Sequence, residues 1–114
     1  MLNIQIFGTL KNNETKKAIR FFKERGIKVH IIDLREKNLS KGELENITRK
    51  IPIEDLLDKE GKEYRKRNLA YMKFDIAEEI LEDSLLVKMP IVRNGKNVTL
   101  GYEPKIWMNW IDEE

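Results

Sequence analysis

The sequence predicts an α/β fold: a single domain over residues 1–114, built on a mixed four-stranded sheet in the order β-α-β, helical insertion, β-β-α. Three observations carry this. Two short apolar runs near the start flank an amphipathic segment. A long middle stretch spaces its apolar residues three and four apart, as helices do. Near the end, an Asn-Gly pair separates two short apolar runs ahead of a tryptophan-rich segment, the pattern of a hairpin followed by a helix.

The first strand is read from "LNIQIF", residues 2–7, where apolar and polar residues alternate. Asn12 or Asn13 then caps a helix, because an Asn side-chain oxygen accepts a backbone N–H that the helix start leaves without a partner. Glu14 falls in the first turn, where the helix dipole favours a negative charge. Ala18, Phe21 and Phe22 give this helix its apolar face, and Gly26 stops it. "IKVHIIDL", residues 27–34, is the second strand. Strand, helix and strand at this separation imply a right-handed βαβ unit with parallel strands.

The insertion is expected over about residues 39–86. Ser40 and Glu43 have capping-box spacing, and Leu44, Ile47 and Ile51 follow on one helical face. Pro52 ends that helix and opens a short one through Leu56 and Leu57, which Gly61 interrupts. "KEYRKRNLAYM" is read as a further short helix. Asp75 and Glu78 repeat the capping spacing ahead of a stripe of Ile76, Ala77, Ile80 and Leu81. The hairpin is expected over residues 90–102, with both its strands antiparallel to the first two. Pro104 opens a terminal helix that docks Ile106, Trp107, Trp110 and Ile111 on the sheet.

Composition bounds the function. The 114 residues carry 22 basic and 20 acidic side chains, a net charge of +2, which makes no electrostatic case for nucleic acid. There is no cysteine, so disulfides, thiolate metal sites and thiol chemistry are excluded. The opening "MLNIQIFG" has neither the basic region nor the apolar run of a signal peptide, and no stretch has the length of a membrane span. A cytoplasmic location is therefore expected, with no membrane contact and a monomer as the default.

Four stretches resemble the arsenate reductase family, which includes glutaredoxin-like arsenate reductases, the Spx regulators and related reductase-like proteins. "IQIFGTLKNNETKKA" is similar to the family's first strand, active-site turn and helix. "LLDKEGKEYRK", residues 56–66, resembles its Leu-Leu-Asn-Thr-Arg-Gly segment and the Tyr/Trp-Arg-Lys that follows. "LVKMPIV", residues 86–92, resembles its Leu-Ile-Lys-Arg-Pro-Ile stretch, and "NGKNVTLGY" its hairpin. The resemblance implies a thioredoxin-like, glutaredoxin-type fold, with Pro90 following a cis peptide bond.

The departures bear on function. Aligned on Lys16, Lys17 and Ala18, the resemblance places Asn12 where the family has its reactive cysteine. Thr15 stands where Spx-type members have a second one. Glu60 and Met89 stand at family arginine positions. In the family a thiolate attacks arsenic, and a helix N-terminus and arginines would lower its pKa and hold the oxyanion. An amide is not a redox group, and Glu60 adds an anion where a cation bound one. The resemblance thus implies a scaffold retained without its nucleophile and its anion-binding arginines.

The expectation is an arsenate reductase-family protein without thiol redox activity, in a non-catalytic binding or regulatory role through a protein partner. The alternatives are an arsenate reductase or glutaredoxin-like oxidoreductase by family membership, and a small-anion-binding protein using Lys11, Asn12, Asn13 and Glu14 at the helix start. Pro90 would retain only the binding part of its family role. No cofactor is expected, glutathione entering only through the resemblance, and no metal-ligand spacing stands out. His30, the one histidine, is read as structural. Arg65, Lys66 and Arg67 are read as a solvated helix face.

Overall fold

The structure is a computed structural model that describes residues 2–114. It divides into two compact units, one comprising the chain up to Asp33 together with Met89–Glu114, the other Leu34–Lys88.

The first unit holds the sheet. Strand β1 (Ile4–Gly8) is followed by helix α1 (Asn13–Glu24) and strand β2 (Val29–Asp33). After the second unit the chain returns as β3 (Ile91–Asn94), β4 (Asn97–Leu100) and a C-terminal helix, Pro104–Asp112. The strand order is β2-β1-β3-β4, with β1 parallel to β2 and antiparallel to β3. The expectation that both hairpin strands oppose the first two fails for β4. A hairpin reverses the chain, so β4, antiparallel to β3, runs in the direction of β1. The loop between them is Gly95-Lys96, with Asn94 the last residue of β3. Gly95 has φ of 61°, at the first loop position, where a type II′ turn takes glycine.

The apolar face of α1 meets Ile4, Ile6 and Val92 on one side of the sheet. On the other side Phe7 and Ile91 are also fully buried. The simple alternation read for β1 is thus overridden, because strands flank it on both edges and both its faces are covered. Helix α1 ends in a Schellman arrangement: Ile27 N–H donates to Phe22 O at 2.9 Å and Gly26 N–H to Lys23 O at 3.0 Å, with Gly26 at φ 69°. On the C-terminal helix Trp107 and Trp110 are buried, but Ile106 remains 40% exposed. The helix presents Trp107 and Trp110, three residues apart, to the sheet, and Ile106 falls off that stripe.

The second unit contains helices α2 (Lys41–Thr48), α3 (Ile53–Leu56), α4 (Lys62–Lys66) and α5 (Ile76–Glu82), so the C-terminal helix is α6. Ser40 and Glu43 form the complete capping box. Helix α2 stops at Thr48, before Ile51, since Pro52 biases the residue ahead of it away from helix. The helix read over "KEYRKRNLAYM" is two pieces, α4 and a 3₁₀ turn Leu69–Tyr71, divided by Asn68 at φ 55°. Asp75 caps α5 by accepting from Glu78 N–H at 3.0 Å. Of the stripe expected there only Ile80 is buried, while Ile76, Ala77 and Leu81 are half-buried. Two bonds around the bridge between Leu57 and Val87 close the unit: Asp58 N–H to Leu86 O at 2.9 Å, and Lys88 N–H to Leu56 O at 2.7 Å. Fully buried Ser84 accepts from Leu39 N–H and donates to Ile80 O, both at 2.8 Å.

Arg67 corrects the reading of a solvated basic face. It is half-buried and pairs with Glu79 and, at 3.5 Å, with Asp83. Helix α5 lies beside α4's end and turns this cation inward, whereas Arg65 and Lys66 are exposed.

Candidate functional site

The chain leaves β1 at Gly8 and enters α1 through a turn closed by Asn12 N–H donating to Thr9 O at 3.1 Å. Asn12 is the N-cap, with extended backbone (φ −79°, ψ 124°). Its Oδ1 accepts from Thr15 N–H at 2.8 Å and from the Thr15 hydroxyl at 3.0 Å. These two bonds use both lone pairs of the amide oxygen. They leave the amide NH₂ as what Asn12 can offer a ligand.

Thr15 is buried, its side chain seated over Gly8. A Cβ on Gly8 would lie 2.4 Å from Thr15 Oγ1 and 2.9 Å from its Cγ2, so only glycine lets the helix start approach the strand this closely. Gly8→Ala is expected to destabilise by about 1–2 kcal/mol through overpacking. Urea unfolding checks this, and an unchanged midpoint would mean that Thr15 swings away without cost. Asn12→Ala is expected to cost about 1 kcal/mol, a typical value for a lost cap. Asn12→Ser or Asn12→Asp, which keep an acceptor, should restore most of it in the same measurement.

The sheet register gathers further residues at this end. Phe7 pairs with Ile91, so Pro90 follows on beside Gly8, and the Met89–Pro90 bond is cis. Pro90 is buried and Met89 half-buried. Pro90 O accepts from Gly101 N–H at 2.8 Å. A Cβ on Gly101, at φ 82°, would come 3.7 Å from Glu14 Oε2, so Glu14 reaches toward the start of the β4–α6 connection. On the other edge of β1 the parallel register sets Asp33 beside Gly8. Lys11, Asn13 and Glu14 are exposed. Glu60 belongs to the second unit, in a turn closed by Gly61 N–H to Asp58 O at 3.1 Å, and its own N–H donates to Asp58 Oδ1 at 3.2 Å.

Of the residues singled out in the sequence, the first unit thus brings Lys11, Asn12, Asn13, Glu14 and Thr15 to the end of the sheet where Met89 and Pro90 enter β3. Gly8, Thr9, Asp33 and Gly101 join them unannounced. Only the strand register, which a sequence does not print, places Asp33 and Gly101 there. His30 pairs with Gln5, three residues short of Gly8, about 10 Å back along the strand. It is exposed on the edge strand β2 rather than packed inside it.

The chemistry available at this mouth is donation of hydrogen bonds. Asn12 and Thr15 N–H are taken, which leaves the N–H groups of Asn13 and Glu14 and the Asn12 amide for an acceptor. The Thr15 hydroxyl is buried and donates to Asn12, so it is not poised as a nucleophile. Glu14 adds a carboxylate to the first turn beside these N–H groups. Among the described residues no group of three or more His, Asp or Glu could hold a metal ion, and no helix is long and apolar enough to cross a membrane.

A mixed sheet ordered β2-β1-β3-β4, a capped helix start at the end of β1 and a cis-proline opening β3 define a thioredoxin-like fold, among whose described residues there is no cysteine. The chain matches the ArsC family over residues 7–109 and belongs to it. It is 27% identical over 103 residues to the uncharacterized protein YusI of Bacillus subtilis (strain 168), which covers 83% of this chain and 87% of that one. The fold superimposes on that of the YFFB (PA3664) protein with a TM-score of 0.81 and 18% identity, over 94% of this chain and 97% of that one. It also superimposes on an arsenate reductase from Vibrio cholerae with a TM-score of 0.77 and 17% identity, over 95% and 97% of the two chains.

Proposed function

We propose that this ArsC-family protein does not carry out the family's thiol chemistry and acts instead by binding, in a regulatory role exerted through a protein partner. One observation supports this above the others. The resemblance places Asn12 at the family's cysteine position, and its side-chain oxygen is spent on capping α1 through two bonds from Thr15. The rest of the chain supplies no thiol to replace it. Methionine sulfur cannot form a mixed disulfide, so Met89 beside Pro90 is no substitute.

Family membership favours the rival reading, a reductase. Purified protein assayed for arsenate reduction and for glutathione-dependent reduction of a small disulfide separates the two. The expected result is a rate equal to the no-protein control. Turnover above that control in either assay would sink the non-catalytic reading.

The free N–H groups of Asn13 and Glu14 favour a second binding mode, capture of a small anion without reaction. Against it stands the carboxylate of Glu14 in the first turn. Titrating arsenate or phosphate to millimolar concentration is expected to leave the amide signals of residues 12–15 unmoved. Saturable shifts there would establish the anion site.

A further inference from the structure

Away from the mouth, the outer face of α1 and the β4–α6 connection line a groove of about 480 Å³ that opens to solvent. Lys17, Arg20 and Arg25 stand around it with one carboxylate, Glu24, over a floor that includes Phe21 and Tyr102. The chain's net charge is only +2, so this excess of three cations to one anion is local.

The groove is also held in shape. Arg25 Nη1 donates to Phe21 O at 2.9 Å, and its guanidinium lies 3.8 Å from the centre of the Phe21 ring. Tyr102, 40% exposed, stands edge-on to fully buried Trp107, with ring centres 5.5 Å apart. The Lys17 ammonium lies 5.8 Å from the centre of the Tyr102 ring. An aromatic ledge backed by the core, with a cation already placed over it and another pinned beside it, has little left to order on binding.

We propose that this groove binds a short acidic peptide segment of a protein partner. The partner's carboxylates would meet Lys17, Arg20 and Arg25, and an apolar side chain would lie on Tyr102. Clusters of cations recognise acidic motifs in this way, and an aromatic ledge adds apolar contact at low entropic cost. A free phosphate would leave the Tyr102 ring unused. The chain's net charge of +2 makes no electrostatic case for a nucleic-acid backbone, whose binding rests on many phosphate contacts. The proposal rests on the binding role argued above and names its surface.

The test is fluorescence anisotropy with a labelled acidic peptide of about ten residues containing one Phe. Its Asn/Gln counterpart and a single-stranded oligonucleotide of similar length serve as comparisons. The acidic peptide is expected to bind, and to bind more weakly as salt is raised. The Lys17→Glu/Arg20→Glu variant and the amide peptide should each lose about tenfold or more in affinity. Both substituted residues are exposed, and thermal melting confirms that the variant is folded. Tyr102→Ala should weaken binding several-fold, and amide shifts should centre on Lys17, Arg20 and Tyr102. Absence of binding up to millimolar peptide, equal binding of both peptides, indifference to charge reversal, or tighter binding of the oligonucleotide would each overturn the proposal. The same preparations are assayed for reduction. Turnover there removes the non-catalytic reading, whereas lost peptide binding without turnover removes the groove alone.

Discussion

Replacing Trp107 with alanine is expected to cost about 3–5 kcal/mol of stability, the range for deleting a buried aromatic side chain. Trp107 is fully buried, and its ring meets Phe21 and Phe22, each with centres 5.3 Å away, as well as Tyr102. It joins α1, the sheet and α6 in one aromatic cluster, so little can collapse into the space it leaves. Its indole N–H donates to Thr99 Oγ1 at 2.8 Å, and Thr99 is buried as well. Trp107→Phe isolates that bond: much of the apolar contact stays, but Thr99 loses its donor, for about 1–2 kcal/mol. Urea unfolding followed by far-UV circular dichroism gives both numbers as midpoint shifts at constant slope. A loss below about 1 kcal/mol for Trp107→Ala would show that the cluster relaxes around the cavity far more easily than packed cores do.

In the second unit a large single-residue effect is expected at Arg67. Its guanidinium sits between Glu79 and Asp83, with side-chain exposures of 28% for Arg67 and 19% for each acid. Removing one partner of a buried ion pair strands the other charge at about 3–5 kcal/mol. Partial exposure lets water screen this site, so Arg67→Met is expected to cost about 2–3 kcal/mol at neutral pH.

The loss should depend on pH. Glu63 has its pKa raised from the ordinary 4.5, first by a hydrogen bond with Asp83, then by burial and by Asp83's charge, while Lys66 and Arg67 oppose the rise. Just above that ordinary value the folded protein holds a proton the unfolded chain has released. The stability from the shared proton is therefore fully present below the ordinary value and is lost as pH rises through the folded one. Without Arg67 a charge that opposes the rise at Glu63 is gone, so Glu63 holds its proton to higher pH. The deficit of Arg67→Met should thus be smaller at about pH 5 than at about pH 7. Urea midpoints at the two values decide this, and an equal deficit at both would show that Arg67 does not act through the proton held by Glu63.

Much of the fold was legible because its signals are local. A cap needs only residues three apart, and Asn12 with Thr15, Ser40 with Glu43 and Asp75 with Glu78 all meet as their spacing implies. Gly26 and Gly95 take the positive φ that their stop and turn require. The misreadings came where distant residues intervene. Ile106 lies off the stripe that the sheet buries, and Arg67 finds acids 12 and 16 residues away. Pro52 lies beyond the end of α2 as its sequence position implies, with the helix stopping at Thr48, short of Ile51.

The sequence by itself determined what chemistry this chain can bring: no thiol, an asparagine able to cap where the resemblance places the cysteine, and a near-neutral charge balance. These follow from residue types and short spacings, which need no coordinates. Only the tertiary structure decided what stands together. Strand register brought Pro90 and Asp33 to Gly8. The close approach of α1 over Gly8 buried Thr15. The packing of Tyr102 on Trp107 set an aromatic ledge beside the cations of α1. The register contacts join residues tens of positions apart, and they form only when burial of the apolar residues selects one register.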